Sequence, residues 1–309
     1  MLKNFPHVEL FLSRIKLDNI ILSKRLYKEF NSENVQSQLL LAEQMLVWAK
    51  DILGSKYLEM LSKGYVAFSS EVNKAQARYE IEKSYQYDSF EEVSNITYHS
   101  KEFMELYHWG VYSTTFLWKH HFLLYEFYKK YFISNLKHKS PGTIYDFGTG
   151  SGIWLTLSLN SLPSWKGEGI DISPTSSKWA KQLSIAAKTN ERTTIHVQNA
   201  LNFRPPTLAQ AAMSCFLLEH LEYPNKLLQT IYDSVEEGAT VFITAAITAA
   251  EIDHIYEFKT ESELVNLCEQ SGFRVIATFS ASPSDFPSNR IYLPRSMALI
   301  ITKKKSVFW

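Results

Sequence analysis

Glycine falls at every second position over Gly148, Gly150 and Gly152, directly after the run Ile144-Tyr145-Asp146-Phe147, which is apolar except for one acid. Lacking a Cβ, these residues reach positive φ and let the backbone pass close to a ligand. The amides that open the next helix, expected over Ile153–Asn160, then face a carboxylate, phosphate or ribose. A strand feeding such a loop is a nucleotide-cofactor signal. It is not the dinucleotide fingerprint, because G-x-G-x-x-G needs glycine where Ile153 stands. A nicotinamide oxidoreductase is therefore disfavoured.

Two further stretches carry chemistry. Glu251-Ile252-Asp253-His254-Ile255-Tyr256 sets an acid, an imidazole and a phenol side by side. Between Tyr98 and Tyr131, polar-tipped aromatics crowd together: Tyr98, His99, Tyr107, His108, Trp109, Tyr112, Trp118, His120, His121, Tyr125, Tyr128 and Tyr131. Such side chains suit a pocket wall that is apolar with a few hydrogen bonds, and their ring faces attract a cation. The plainer alternative is that these helices dock on a sheet. Gly110, inside this helical stretch, points to a close approach or a kink, since glycine there costs about 1 kcal/mol relative to alanine. His120 and His121 are neighbours and cannot both face one ion from a regular helix, and the two cysteines are far apart, so ligand spacing implies no metal.

The elements that position these groups differ before and after residue 140. Upstream, apolar residues recur at three and four, which predicts helices over Leu10–Phe30 and Gln36–Leu53. Ser140-Pro141-Gly142 breaks that pattern, dividing the chain into a helical part (1–139) and a cofactor-binding part (140–309). Thirty-two basic and 32 acidic residues balance to a formal charge of zero, with no general attraction to nucleic acid or anionic membrane. Cys215 and Cys268 read as buried free thiols in a reducing compartment. No stretch approaches 18 uncharged apolar residues and the amino terminus lacks a basic-then-apolar leader, so cytoplasm is the default location.

The spacing D-x-G-x-G-x-G from Asp146 resembles motif I of the class I S-adenosylmethionine-dependent methyltransferases, small-molecule type. Gly-Glu-Gly-Ile-Asp-Ile-Ser (167–173) looks like that family's second strand, Thr194–Gln198 its third, and Ala211–Leu218 its fourth, running into Leu218-Glu219-His220-Leu221-Glu222-Tyr223-Pro224. A helix at Asn225–Val235, a strand at Ala239–Ala246, a helix at Glu261–Ser271 and strands near Arg274–Phe279 and Ser296–Thr302 complete the likeness over Ser140–Lys304. The chain departs from the pattern at Asn199, where an acid is usual, and at Ala-Gln-Ala-Ala (209–212), which lacks the usual aspartate. The resemblance implies an α/β fold: a Rossmann-like seven-stranded sheet, its last strand antiparallel, beneath an N-terminal all-α cap. It implies S-adenosyl-L-methionine as cofactor and S-adenosyl-L-homocysteine as product, held by Asp146, Phe147, Gly148, Thr149, Gly150 and Gly152, by Asp171 and Ile172 at the ribose, by Asn199 and Ala200 near adenine, and by Phe216 and Glu219.

Methyl transfer is an in-line displacement at a sulfonium carbon, so the protein must align, desolvate and, for a hydroxyl or protonated amine, remove a proton. His254, just past the fifth strand, is the first candidate base, with Asp253 tuning it. His220 is its rival and His108 the reserve. Tyr107, Trp109, Tyr112 and Tyr256 are expected to contact substrate. No Asn-Pro-Pro-Tyr element follows strand four, which argues against base or glutamine nitrogens as targets. The resulting expectation is methyl transfer to the O, N or C atom of a small molecule in secondary or specialised metabolism, without nucleic-acid or membrane partners. The alternative is a scaffold or regulatory protein that binds cofactor without turnover. Homodimer formation is left open.

Overall fold

A computed structural model of the chain describes residues 2–97, 101–283 and 293–304; Tyr98 and His99 lie outside them. The periodic stretch Leu10–Phe30 forms two helices rather than one, α1 (Pro6–Asp18) and α2 (Ile20–Phe30). Asn19 between them is extended (φ −155°, ψ 101°), and its side-chain oxygen accepts from the amides of Ile21 and Leu22. A capping asparagine competes with the next helical turn, and apolar periodicity carries no trace of that competition. The helical layer continues through α3 (Gln36–Leu53), α4 (Tyr57–Glu82), α5 (Phe90–Ile96), α6 (Lys101–Leu117), α7 (Lys119–Tyr128), a π-helical turn (Lys129–Ile133) and α8 (Ser134–Lys137).

The chain then alternates between β1 (Thr143–Phe147), α9 (Ile153–Ser161), β2 (Lys166–Asp171), α10 (Pro174–Ala186), β3 (Thr193–Val197) and β4 (Ala209–Cys215). It closes with α11 (Pro224–Ser234), β5 (Val235–Ile247), α12 (Glu261–Gln270), β6 (Phe273–Ala281) and β7 (Arg295–Lys303). The seven strands lie in the order β3-β2-β1-β4-β5-β7-β6, with β7 antiparallel to both neighbours. This is the Rossmann-like sheet with an antiparallel last strand that the resemblance implies. The order reverses between β1 and β4, and a crevice opens at the carboxyl ends of strands at such a switch point.

Alternate residues of the strands face opposite layers. Ile144, Phe242 and Ile300 join a core with α3, α7 and α9, whereas Tyr145, Val241, Ile243 and Ile301 pack with α11 and α12. The first core is continuous across the break at residues 140–142: Tyr128 and Phe132 touch Phe242, and Tyr128 also meets Trp154 edge-on. Helical layer and sheet therefore share one apolar interior.

Gly110 is where α6 crosses α4. A Cβ there would lie 2.5 Å from the Phe68 Cβ and 2.8 Å from the Gly64 carbonyl oxygen, and one on Gly64 would lie 2.8 Å from the Leu106 oxygen. The glycine pair thus serves close approach of two helices. Alanine would add about 1 kcal/mol of helix propensity at Gly110, but overpacking against backbone costs about 1–3 kcal/mol. Gly110→Ala is expected to lower stability by about 1–2 kcal/mol in urea unfolding, and an unchanged midpoint would show that the crossing yields freely.

Candidate active site

The carboxyl ends of β1, β2, β4 and β5 floor a cavity of about 580 Å³, roofed by α4, α6 and α7. At one end, Gly148, Gly150 and Gly152 all take positive φ (71°, 54° and 76°). The Gly150 amide donates to Asp171 Oδ2 at 2.8 Å and the Ser173 amide to Oδ1 at 2.8 Å, so the loop and the end of β2 hold one carboxylate between them. Burial raises the pKa of Asp171, and those two amides work against the rise. Asp146, beneath the loop, is pushed up to about 7 by burial, partly offset by the Thr149 hydroxyl that donates to it at 2.7 Å. A Cβ at Gly150 would meet nothing nearer than the Gly148 oxygen at 4.0 Å, so its Cα faces open cavity.

The opposite end is built by two turns tied together. Glu219 and His220 lie in a 3-10 turn (Leu218–His220) after β4, and the amides of Ile255 and Tyr256 both donate to the Glu219 carbonyl at 2.9 Å. The His220 and His254 rings meet edge to face at 4.9 Å. His254 Nδ1 donates to the Ala249 carbonyl at 2.8 Å, which leaves Nε2 as its acceptor atom, 3.9 Å from Glu251 Oε2. Burial, then the neighbouring His220, holds His254 down at about 3, so its imidazole is neutral at physiological pH. Burial likewise raises Glu219 to about 7 and Glu251 well above the carboxylate range. Phe216 and Thr248 flank this end in the left-handed region, at φ 52° and 49°. The Phe216 amide is held by the Thr244 carbonyl and hydroxyl, and the Thr248 amide by the Phe258 carbonyl. Non-glycine residues persist in that region only where their surroundings over-determine them.

Of the residues singled out in the sequence, Asp146, Gly148, Thr149, Gly150, Asp171, Ile172, Asn199, Ala200, Phe216 and Glu219 line the cavity, as do His220, His254, His108 and Tyr107. The others require correction. Phe147 is core, and Gly152 caps α9, where a Cβ would strike Ala180 at 2.8 Å. Trp109 and Tyr112 face away from the cavity: Trp109 packs edge-on against Trp179 and Tyr112, whose hydroxyl donates to the Met45 carbonyl. Tyr256 packs on Phe258 in the second core. Asp253 makes its hydrogen-bonding contact with His220 rather than His254, its carbonyl accepting from His220 Nδ1 at 3.0 Å with Oδ2 at 3.5 Å, while its charge acts on His254 as expected, raising its pKa against the larger effects of burial and His220. Asn199 Oδ1 already accepts from the Leu201 amide at 2.9 Å, leaving Nδ2 for a ligand. His108 Nε2 pairs with the Ser176 hydroxyl at 2.9 Å, beside α10 rather than beside His254.

Sequence reasoning missed Tyr65, Phe68 and Gln76 on α4, which line the cavity with no local signal beyond an ordinary amphipathic helix. Phe68 meets Tyr107 and Trp118, Trp118 meets His121, and His121 lies over Phe216, so a chain of rings crosses from the helical layer to the sheet. Also unforeseen, Glu219, His220 and His254 bring ligand-type atoms within 4.8 Å of one another. Their separation in sequence hid the grouping. Cys215 lines the cavity too, but burial pushes its thiol well above its ordinary range.

A family model described as a methyltransferase domain matches residues 119–278, more than half of the chain. The chain belongs to this methyltransferase family. It is a class I enzyme of the S-adenosylmethionine-dependent kind. Among solved structures, the methyltransferase is similar to one from Galdieria sulphuraria assigned as a sarcosine dimethylglycine methyltransferase (12% identity, 60% of this chain and 86% of that one, TM-score 0.51). It is also similar to the StiE O-MT (13% identity, 67% and 78% covered, TM-score 0.48). A third similar structure is an S-adenosylmethionine-dependent methyltransferase from Geobacter sulfurreducens in complex with S-adenosyl-L-homocysteine (14% identity, 56% and 88% covered, TM-score 0.45). At these identities the likeness is one of fold. No curated protein matches the chain.

The methyltransferase's cofactor is S-adenosylmethionine, and the glycine-loop end of the cavity fits it. A carboxylate fixed by two amides faces the cavity beside a loop whose Gly150 position is open, the acceptor that a ribose diol requires. No helix among the described residues is long and apolar enough to cross a membrane.

Burial lowers His108 to about 4. Since its ordinary value is 6.5, the stability contributed by its neutral ring is fully present above pH 6.5 and is lost as pH falls toward 4. Between pH 7 and 4.5 that loss amounts to roughly 2–3 kcal/mol. His108→Gln is expected to flatten the acid limb of stability by that amount, measured as urea midpoints at the two pH values. Parallel limbs for the two proteins would refute the assignment.

Proposed function

We propose that the methyltransferase transfers the methyl group of S-adenosylmethionine to a small-molecule acceptor enclosed between the helical layer and the carboxyl end of the sheet. One observation carries this reading: a single cavity runs from Asp171 and the glycine loop to Glu219, His220 and His254 under an aromatic wall. Its size falls within the roughly 300–1,000 Å³ range of small-molecule sites, and a net charge of zero gives no support to a polyanionic acceptor.

Bound S-adenosylmethionine supplies a methyl group on a sulfonium carbon, already electrophilic. Asp171 accepts from the ribose hydroxyls, Asn199 Nδ2 and the Ala200 backbone border adenine, and the Gly148–Gly150 turn lets the amino-acid portion approach the backbone. Residues 1–139 act as the cap: Phe68, Tyr107, Trp118 and His121 exclude water and offer ring faces to positive charge. The attacking atom faces the His254 end, where Nε2 is an acceptor at neutral pH, so a departing proton has a destination there.

Asp171→Ala is expected to weaken S-adenosylmethionine binding by about 2–4 kcal/mol, through loss of two charge-assisted hydrogen bonds. Gly150→Val is expected to weaken it as well, by filling the open position. Calorimetric titration decides, and two variants that both bind normally would overturn the cofactor assignment. With an acceptor identified by transfer of a labelled methyl group, His254→Ala is expected to lower turnover by roughly 10²–10⁴ while cofactor affinity stays within a few fold. Full turnover in that variant would remove His254 from the reaction.

A further inference from the structure

We propose that Glu219, His220 and His254, with Glu251 beside them, form a divalent-metal site at the acceptor end of the cavity. One ligand-type atom from each of the first three lies within 4.8 Å of the others. Bonds of roughly 2.0–2.2 Å put neighbouring ligands about 3–4 Å apart, so these separations need to close by at most about 1–2 Å.

The surroundings have the form of a metal site's supporting shell. Each ring is anchored through Nδ1 on a backbone carbonyl, His254 on Ala249 at 2.8 Å and His220 on Asp253 at 3.0 Å. That is how metal-binding histidines are oriented, with the tautomer fixed so that Nε2 carries the lone pair. Glu219 is held by one oxygen only: Oε1 accepts from the Ala246 amide at 3.1 Å, while Oε2 is buried with no hydrogen-bond partner. An unpartnered buried carboxylate oxygen beside two oriented imidazoles is an incomplete arrangement that a cation completes. Glu251 Oε2, 3.9 Å from His254 Nε2, supplies a fourth donor atom. Mixed imidazole and carboxylate donors suit Mn²⁺, Fe²⁺, Co²⁺ or Zn²⁺ better than Ca²⁺ or Mg²⁺.

The inference rests on the reading that this end receives the acceptor, and it narrows the acceptor to an alcohol or phenol. Coordination would acidify an acceptor hydroxyl, whose proton would pass to solvent water; the oxygen would then take the methyl group as its bond to sulfur breaks and S-adenosyl-L-homocysteine leaves, with His254 a ligand in place of a base.

The test uses the full chain stripped with a chelator and titrated with Mn²⁺ and Co²⁺, without cofactor or acceptor. One ion per chain is expected, with nitrogen modulation in the electron spin echo of bound Mn²⁺ and visible absorption from bound Co²⁺. Glu219→Gln and His254→Ala should each weaken binding by at least about 100-fold. A wild-type chain that binds no ion, or binds Mn²⁺ without nitrogen coupling, overturns the proposal whether or not the variants fold. So does occupation of the site by a simple alkylammonium ion in preference to the metals. Titration with S-adenosylmethionine is run separately. Cofactor binding without metal binding sinks this inference alone, and metal binding without cofactor binding keeps the site and sinks the methyl-transfer reading.

Discussion

The Gln76 side chain grips the backbone beyond β5 with both ends of its amide: Nε2 donates to the Thr248 carbonyl at 3.3 Å and Oε1 accepts from the Ala250 amide at 2.9 Å. Both contacts are buried and join residues more than 170 positions apart. They determine how far α4 stands from the sheet. The Tyr85 hydroxyl adds a 2.9 Å bond to the Ala249 carbonyl, the same oxygen that holds His254 Nδ1. The loop carrying His254 is thus pinned from the helical layer and, through the Glu219 carbonyl, from the β4 turn. The cavity exists because these polar contacts hold two apolar layers apart at one edge while Tyr128, Trp154 and Phe242 draw them together at another.

Titratable groups crowd this gap, and burial acts on them in opposite directions. Carboxyls at Asp146, Glu219 and Glu251 rise, and imidazoles at His108, His121 and His254 fall, because the charged form of each loses hydration. The two ends nonetheless differ in kind. At Asp171, two amides satisfy a carboxylate that faces the cavity. At Glu219, one amide serves one oxygen and the other is left without a partner. A satisfied carboxylate and an unsatisfied one sit at opposite ends of the same space.

Strands, helices and the cofactor loop were legible because their signals are local. The apolar run Ile144-Tyr145-Asp146-Phe147, three glycines at every second position and an acid at Asp171 each depend on neighbours a few residues away, and every one lies where that pattern implies. The division of Leu10–Phe30 was less legible, since the Asn19 cap interrupts a stripe whose periodicity runs on through it. The aromatic segment divided unevenly. Tyr107 and His108 reach the cavity, whereas Trp109 turns into the core beside Trp179, because successive residues on a helix point about 100° apart and only the packing partner decides which face is wet.

By itself the sequence carried the glycine loop, a consequence of backbone freedom within a short window, and, through its resemblance to the methyltransferase family, the fold class and the acid at the end of β2. Tertiary structure alone decided that Asp253 backs His220, that Glu219 shares a site with His254, and that Phe68 and Gln76 belong to the cavity wall. Those relations join residues far apart along the chain, and their geometry depends on how two layers dock, a quantity that no local pattern encodes.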